Sequence, residues 1–320
     1  MRGGRMKMWH YLMKRFLQLL LAIFGVTFIT FGLTMISPSD PAEVRLLAND
    51  QIPTEEALEK LREEMGLNDP FLVQYGNWVK GVVTGDFGYS HRYRSPVMAV
   101  LEQKIPITLA LAGVAFGLFL VLSIGFGVLA AIRKNKWLDY CIRGVTFISI
   151  SIPSFWLGLI LLYYFAVKLN WFSVTKSDSF SSIVLPALTL AFPLIGKYTR
   201  LIRSELLEQL SQDYVMGART NGIKERRILF RYVLPNALIS IIPLFGLSVA
   251  SLLGGTVIVE NIFSWQGLGS MALEAITYRD YALIQAYVLL MTVIYVGMNF
   301  IADVLVQTIH PRMMAVGGKG

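Results

Sequence analysis

Residues 212–238 read QDYVMGARTNGIKERRILFRYVLPNAL, the most basic stretch of a chain otherwise built from long apolar runs. Arg219, Lys224, Arg226, Arg227 and Arg231 cluster here, and basic residues beside apolar spans stay on the cytoplasmic side of a membrane. The stretch therefore sets the sidedness from which every other span is counted. It reads as two short helices broken at Gly222, a residue free to take the left-handed conformation that ends a helix. Tyr214, Val215 and Ala218 give the first piece an apolar edge; Ile228, Leu229, Tyr232 and Val233 do so for the second. Such a knob could anchor to acidic lipid or fit a groove on a cytosolic subunit, and composition does not choose between them.

Outward from this island the chain is lipid-like. Hydrophobic residues make up 55% of the 320 and charged ones 16%, and the mean hydropathy is +0.56, far from a soluble domain. A crossing helix needs roughly 20 mostly apolar residues. Six stretches answer: Phe16 to Ile36, Ile105 to Ile132, Tyr140 to Val167, Ile183 to Ile195 with a basic extension, Ala237 to Val259, and Leu283 to Val306. The fourth, interrupted by Pro186 and Pro193, is the weakest. The predicted fold class is all-α, a polytopic membrane protein of about six spans with both termini cytoplasmic.

The basic N-terminus (Arg2, Arg5, Lys7, Lys14, Arg15) and the Arg133–Lys136 turn are cytoplasmic on the same rule, whereas residues 37–104 carry more acids than bases and lie outside. The expected organisation is a cytoplasmic N-terminus at 1–15, a first span at 16–36, an outer loop at 37–104, a five-helix core at 105–306 containing a cytoplasmic loop at 197–236, and a cytoplasmic tail at 307–320. The first apolar run is longer than a signal peptide's and Ser37-Pro38-Ser39 is a poor cleavage site, so it reads as a retained span. Within the outer loop, PTEEALEKLREEMG predicts a surface helix capped by Thr54, with Leu58, Leu61 and Met65 on one face and Gly66 as its stop. It packs on the protein's own outer surface or receives an external partner. The net charge of +8 follows from the positive-inside bias and calls for no nucleic acid, and Cys141 alone allows no intrachain disulfide.

Little in the chain suits catalysis. Ionisable residues at membrane depth are costly and mark function; Asn299 and Asp303 in the last span are the weak candidates for a translocation path, while Arg143 and Lys168 lie near enough to span ends to snorkel. His10, His91 and His310 show no ligand spacing, so no metal site is expected. Nothing matches a phosphate-binding Gly-rich loop followed by Lys-Ser/Thr; if ATP drives the protein, ATP and magnesium sit on another chain. The prolines do not pair between halves as in many secondary carriers. Gly113, Gly117, Gly125 and Gly127 in the second span and Gly254-Gly255 in the fifth would allow close helix contacts.

The order Ala218, Gly222, then Leu234-Pro235 resembles the cytoplasmic loop motif of bacterial ATP-binding-cassette (ABC) importer permeases. Met216 and Gly217 stand where that motif has Glu and its first Ala, and Tyr232 where it has Ile. The variant of the dipeptide, oligopeptide and nickel permeases, Asp-Tyr-Val-x-x-Ala-Arg-x-x-Gly, is matched by Asp213, Tyr214, Val215, Ala218, Arg219 and Gly222. Similar segments follow in order along nearly the whole chain, among them GLNDPFLVQYGNWVKGVVTGDFGYS, ISIPSFWLGLILL and ENIFSWQGLGSMALEAITYRDYALIQA. Gln266 and His310-Pro311-Arg312 depart from the family's usual Pro and Asp-Pro-Arg.

The resemblance implies a type I ABC importer permease in the bacterial cytoplasmic membrane, paired with a second homologous permease, two cytosolic ATP-binding subunits and an extracytoplasmic substrate-binding protein. It also implies that the basic island, including Gly217 and Arg226, is a helix coupling the spans to the ATPases. VQYGNW, VIVENIFSW and IQAYVLL lean toward the nickel or metal-chelate branch, with dipeptide or oligopeptide cargo as the alternative. A channel or membrane scaffold without an ATPase partner is the competing class.

Overall fold

The structure, a computed structural model, describes residues 2–36, 40–48, 51–172 and 181–309, with side chains described at 13–36, 40–47, 51–172 and 181–305. Ser37-Pro38-Ser39, the loop around Lys176 and His310-Pro311-Arg312 lie outside the described residues. In chain order the elements are α1 (Arg2–Ile36), α2 (Pro41–Ala48), α3 (Glu55–Glu64), α4 (Phe71–Thr84), β1 (Tyr89–Ser90), β2 (Ser95–Pro96), α5 (Val97–Ile132), α6 (Trp137–Ser151), α7 (Ser154–Leu161) continued by a π-helical turn (Leu162–Lys168), α8 (Ser181–Leu210), α9 (Asp213–Thr220), α10 (Glu225–Ile228) continued by a π-helical turn (Leu229–Val233), α11 (Leu234–Ile262), α12 (Leu268–Thr277) and α13 (Tyr281–Ile309).

Among the described residues five helical segments, Met13–Ile36, Val97–Ile132, Ser181–Leu210, Glu225–Ile262 and Tyr281–Leu305, are long and apolar enough to cross a bilayer. The third apolar stretch is broken: α6 and α7 meet at a 106° bend. Pro153 is the cause, since it disfavours helical geometry at Ile152, which takes φ −85° and ψ 127°. The basic segments at the start of α1, after α5 and after α8 share one side only if α6 and α7 together make one crossing; six crossings result. The prolines of the fourth stretch behave oppositely, because Pro186 and Pro193 both sit inside the continuous α8. That helix is the most enclosed of the five, with 67% of its most apolar window buried. The segment that looked weakest in sequence is the centre of its unit.

The chain divides into two compact units, Met1–Ile107 with Gln266–Gly297, and Thr108–Trp265 with Met298–Gly320. In the first, α1 and α4 interlock through aromatic rings: Phe28 and Phe31 meet Phe71 and Tyr75 edge-on at centroid distances of 5.2–5.7 Å, a geometry that aligns positive ring edges with negative faces. The Tyr75 hydroxyl, buried, pairs with Thr27 Oγ1 at 2.9 Å. The predicted outer helix forms as α3, with Thr54 accepting from the Ala57 amide and Gly66 at φ +65°. Its half-buried Leu58, Leu61 and Met65 lie on one side, and Arg62 bonds Asp40 at 2.7 Å ahead of α2, so this helix packs on the protein's own surface.

The β1–β2 hairpin, unforeseen in sequence, is tied to α12 and α13 by Asp280. That carboxylate, 1% exposed, accepts from Ser90 Oγ at 2.6 Å and the Arg92 amide at 3.1 Å. Beneath it Val97, Val100 and Leu101 of α5 pack on Leu268, Met271 and Ala275 of α12 and on Leu283 and Ala286 of α13.

In the second unit four glycines bring neighbouring helices onto α8. A β-carbon at Gly127 of α5 would stand 2.7 Å from Ile202, one at Gly158 of α7 3.2 Å from Thr189, and one at Gly255 of α11 3.2 Å from Leu190. The tightest approach is at α8 itself, where a β-carbon on Gly196 would lie 2.8 Å from the Thr146 carbonyl and overlap the Ser149 hydroxyl of α6. Small residues at such crossings let backbones approach closely. The expectation for the second and fifth spans holds for Gly127 and Gly255 and fails for Gly113, Gly117, Gly125 and Gly254, whose β-positions meet nothing within 4 Å. Spacing along one helix does not reveal which glycine faces a partner.

Candidate functional site

The basic island folds as a two-helix knob continuous with α8. After Leu210 the chain turns through Ser211 and Gln212 and enters α9, with Asp213 in its first turn and Arg219 in its last, each complementing the helix dipole. Val215 is fully buried and pegs α9 to the protein, while Asp213, Tyr214, Met216, Gly217 and Arg219 are exposed and Ala218 is half-buried. The Tyr214 hydroxyl donates to Gln209 Oε1 at 2.9 Å, tying α9 back to the end of α8.

The Ala218-to-Gly222 spacing has a structural cause. The Ile223 amide donates to the Ala218 carbonyl at 3.1 Å and the Gly222 amide to the Arg219 carbonyl at 2.9 Å, with Gly222 at φ +71°. This is the paired-bond termination that satisfies the orphan carbonyls of a helix end and places a glycine in the left-handed region. Across the turn Arg219 grips Glu225 with both arms, at 2.7 and 3.2 Å, and this contact raises the guanidinium above its ordinary value.

The returning arm is pinned by Ile228, Leu229 and Val233, all buried, and runs through the π-helical turn into α11. Pro235, in the first turn of α11, supplies no amide to the Arg231 carbonyl four residues back, and its ring presses on that turn; the wider turn just before it accommodates both. Leu234 is half-buried, and Arg226 and Pro235 are exposed. Of the two apolar edges foreseen in sequence, Val215, Ile228, Leu229 and Val233 face inward. Tyr214 and Tyr232, 39% and 37% exposed, face out and Ala218 is half-buried, while the neighbouring Met216 is 65% exposed.

One anchoring pair escaped the sequence reading. Asp139, fully buried at the start of α6, accepts from Arg203 Nε at 2.8 Å and Nη2 at 2.7 Å and from the Asn135 amide at 2.9 Å. It locks α6 to the last turns of α8, two turns before the knob begins. No local pattern signals it, because the partners are 64 residues apart. Asn299 and Asp303 lie elsewhere, one turn apart on α13 and both half-buried, flanking Ala302, which packs against Gly246 of α11. The site offers shape, an exposed rigid knob fused to the most enclosed helix of its unit.

Two family models match the chain. "Binding-protein-dependent transport system inner membrane component" covers residues 123–315 and its N-terminal companion covers residues 8–112. The oligopeptide transport system permease protein AppB of Bacillus subtilis (strain 168) is 39% identical over 314 residues, 95% of this chain and 98% of that protein. The metal-staphylopine import system permease protein CntB of Staphylococcus aureus (strain NCTC 8325 / PS 47) is 34% identical over 308 residues, 96% and 98% of the two chains. Among solved structures, an inward-facing form of the MetNI methionine ABC transporter superposes with a TM-score of 0.55 at 20% identity, covering 66% of this chain and 97% of that one, a likeness of fold. With the six crossings and the knob between the fourth and fifth, the chain belongs to the inner-membrane permease family of binding-protein-dependent ABC importers.

Proposed function

We propose that this permease carries nickel or another metal chelate, or short peptides, delivered by an extracytoplasmic binding protein, into the cytosol at the expense of ATP hydrolysed on two separate cytosolic subunits, and that it works beside a second, homologous permease. The observation that carries the coupling role is the knob. Tyr214 and half-buried Ala218, four residues apart on one side of α9, form an apolar edge held in fixed register to α8 by Val215 and the Tyr214–Gln209 bond. A force on α9 is passed directly to α8, and the close contacts at Gly127, Gly158, Gly196 and Gly255 spread it to four neighbouring helices. Interfaces packed this tightly shift between discrete arrangements rather than deforming continuously, which suits alternating access biased by ATP and by loaded binding protein.

The cargo class is supported by relatives whose names span oligopeptide and metal-staphylopine import. Choice between the two cargo types falls to the binding protein. Cells lacking the chain, compared with cells carrying it, should lose uptake of labelled short peptides or accumulation of nickel and cobalt. Loss of neither would refute this cargo class, and uptake that persists when the partner ATPase is inactivated would refute the coupling role and favour a channel.

A further inference from the structure

The knob does not account for a second cluster of cations in the same unit. Between α6 and α8 opens a groove of about 900 Å³ carrying Arg143 on α6 and Lys197 and Arg200 on α8, all exposed. Among the described residues none of the three forms a salt bridge, and Asp139 at the start of α6 gives both oxygens to Arg203. Arg143 and Lys197 lean on the rings of Tyr140 and Tyr198 at 5.6 Å.

The groove is graded along its length. Two contacts set its register: Asp139 on Arg203 toward the cytoplasmic end, and Ser149 with Thr146 on Gly196 toward the bilayer centre. The seven helical steps from Gly196 to Arg203 span about 10 Å. Arg143 and Arg200 lie toward the cytoplasmic end, close behind the basic turn that precedes Trp137. Phe147 and Ile150 line the deeper end, 66% and 46% exposed. Cations at headgroup depth followed by bare apolar wall match the charge and polarity sequence of an anionic lipid, phosphate first and acyl chain beyond.

We propose that this groove holds an anionic phospholipid of the cytoplasmic leaflet, its phosphate on Arg143 and Arg200 with Lys197 reaching up from below, and its chain along Phe147 and Ile150. Bound there, the lipid would bridge α6 and α8 beside the Asp139–Arg203 lock. The inference stands apart from the cargo and coupling readings.

The test uses the full chain in phosphatidylcholine bilayers containing phosphatidylglycerol, with a photoreactive phosphatidylglycerol whose label sits on the acyl chain. Labelling is expected on α6 near Phe147 and Ile150, displaced by unlabelled phosphatidylglycerol and not by phosphatidylcholine. Each surface cation contributes about fivefold to such binding, so Arg143→Gln with Arg200→Gln should lower labelling by about 25-fold, whereas Arg143→Lys with Arg200→Lys should keep most of it. Unchanged thermal unfolding of the Gln variant shows that loss of labelling is loss of the site; if that variant unfolds early, Lys197→Gln alone should still cost about fivefold. Equal labelling by a phosphatidylcholine probe, or labelling indifferent to all these substitutions, overturns the proposal. So does displacement by inorganic phosphate as effective as by the lipid, which would leave a simple anion site, and so does loss of labelling when the remaining transporter subunits assemble, which would make the groove a subunit interface.

Discussion

Asp139 and Arg203 form a two-pronged ion pair that closes α6 onto α8, with the carboxylate wholly shielded and the guanidinium 19% exposed. A buried charge stripped of its partner costs more than the pair contributes, because the survivor keeps its desolvation penalty. Asp139→Ala should therefore destabilise the permease by about 3 kcal/mol, seen as a lowered unfolding midpoint in detergent. Adding Arg203→Met should recover a large part of that loss. Strictly additive effects of the two substitutions would mean the pair is not coupled.

Gly196 offers a second test on the same helix pair. A methyl group there meets backbone at 2.8 Å as well as the Ser149 hydroxyl, and a backbone carbonyl cannot rotate away, so Gly196→Ala should cost about 1–3 kcal/mol. Gly113→Ala, which meets open space, should be neutral or slightly stabilising. The two proteins compared by thermal unfolding in one detergent suffice; equal midpoints would contradict the close α6–α8 packing.

At the knob, Gly222→Val places a β-branched residue at φ +71° and strains the turn by about 1–2 kcal/mol, while Ala218→Trp puts a bulky ring on the half-buried edge that Ala218 shares with Tyr214. Both should reduce substrate uptake while the ATPase subunits continue to hydrolyse ATP. Arg219→Ala removes only an exposed ion pair, worth less than about 1 kcal/mol, and uptake should fall little. Assays of uptake and hydrolysis on the reconstituted complex separate these outcomes; full coupling in Ala218→Trp would remove the knob from the pathway.

His91 gives the first unit a pH dependence. Burial lowers its pKa from the ordinary 6.5, and nearby Arg45 adds to this against the opposing pull of Asp280. The unfolded chain then takes up the proton first, so the unfolded state binds more protons in the window below about 6.5 and stability rises with pH there. The contribution is complete above the unfolded pKa and declines as pH falls toward the folded one. Unfolding midpoints measured at about pH 5 and about pH 7.5 should differ less in His91→Gln than in the parent; an equal difference would assign the slope to other groups.

Some of this protein could be read directly from its residues. Apolar runs longer than a bilayer is thick, arginines gathered at one side and a glycine at Gly222 are local facts with local physical consequences, so crossings, sidedness and the break in the knob follow from sequence alone. The α3 helix with its Thr54 cap was equally legible. The tertiary structure decided the rest: that Pro153 bends its span while Pro186 and Pro193 ride inside one, that Gly196 and not Gly113 meets a neighbouring helix, that Val215 faces inward while Met216 faces out, and that Asp139 finds Arg203. Each depends on which face of a helix another element covers. In a chain apolar on nearly every face, hydrophobic periodicity loses its contrast, so only the packing itself tells the inner faces from those left to lipid or to a partner.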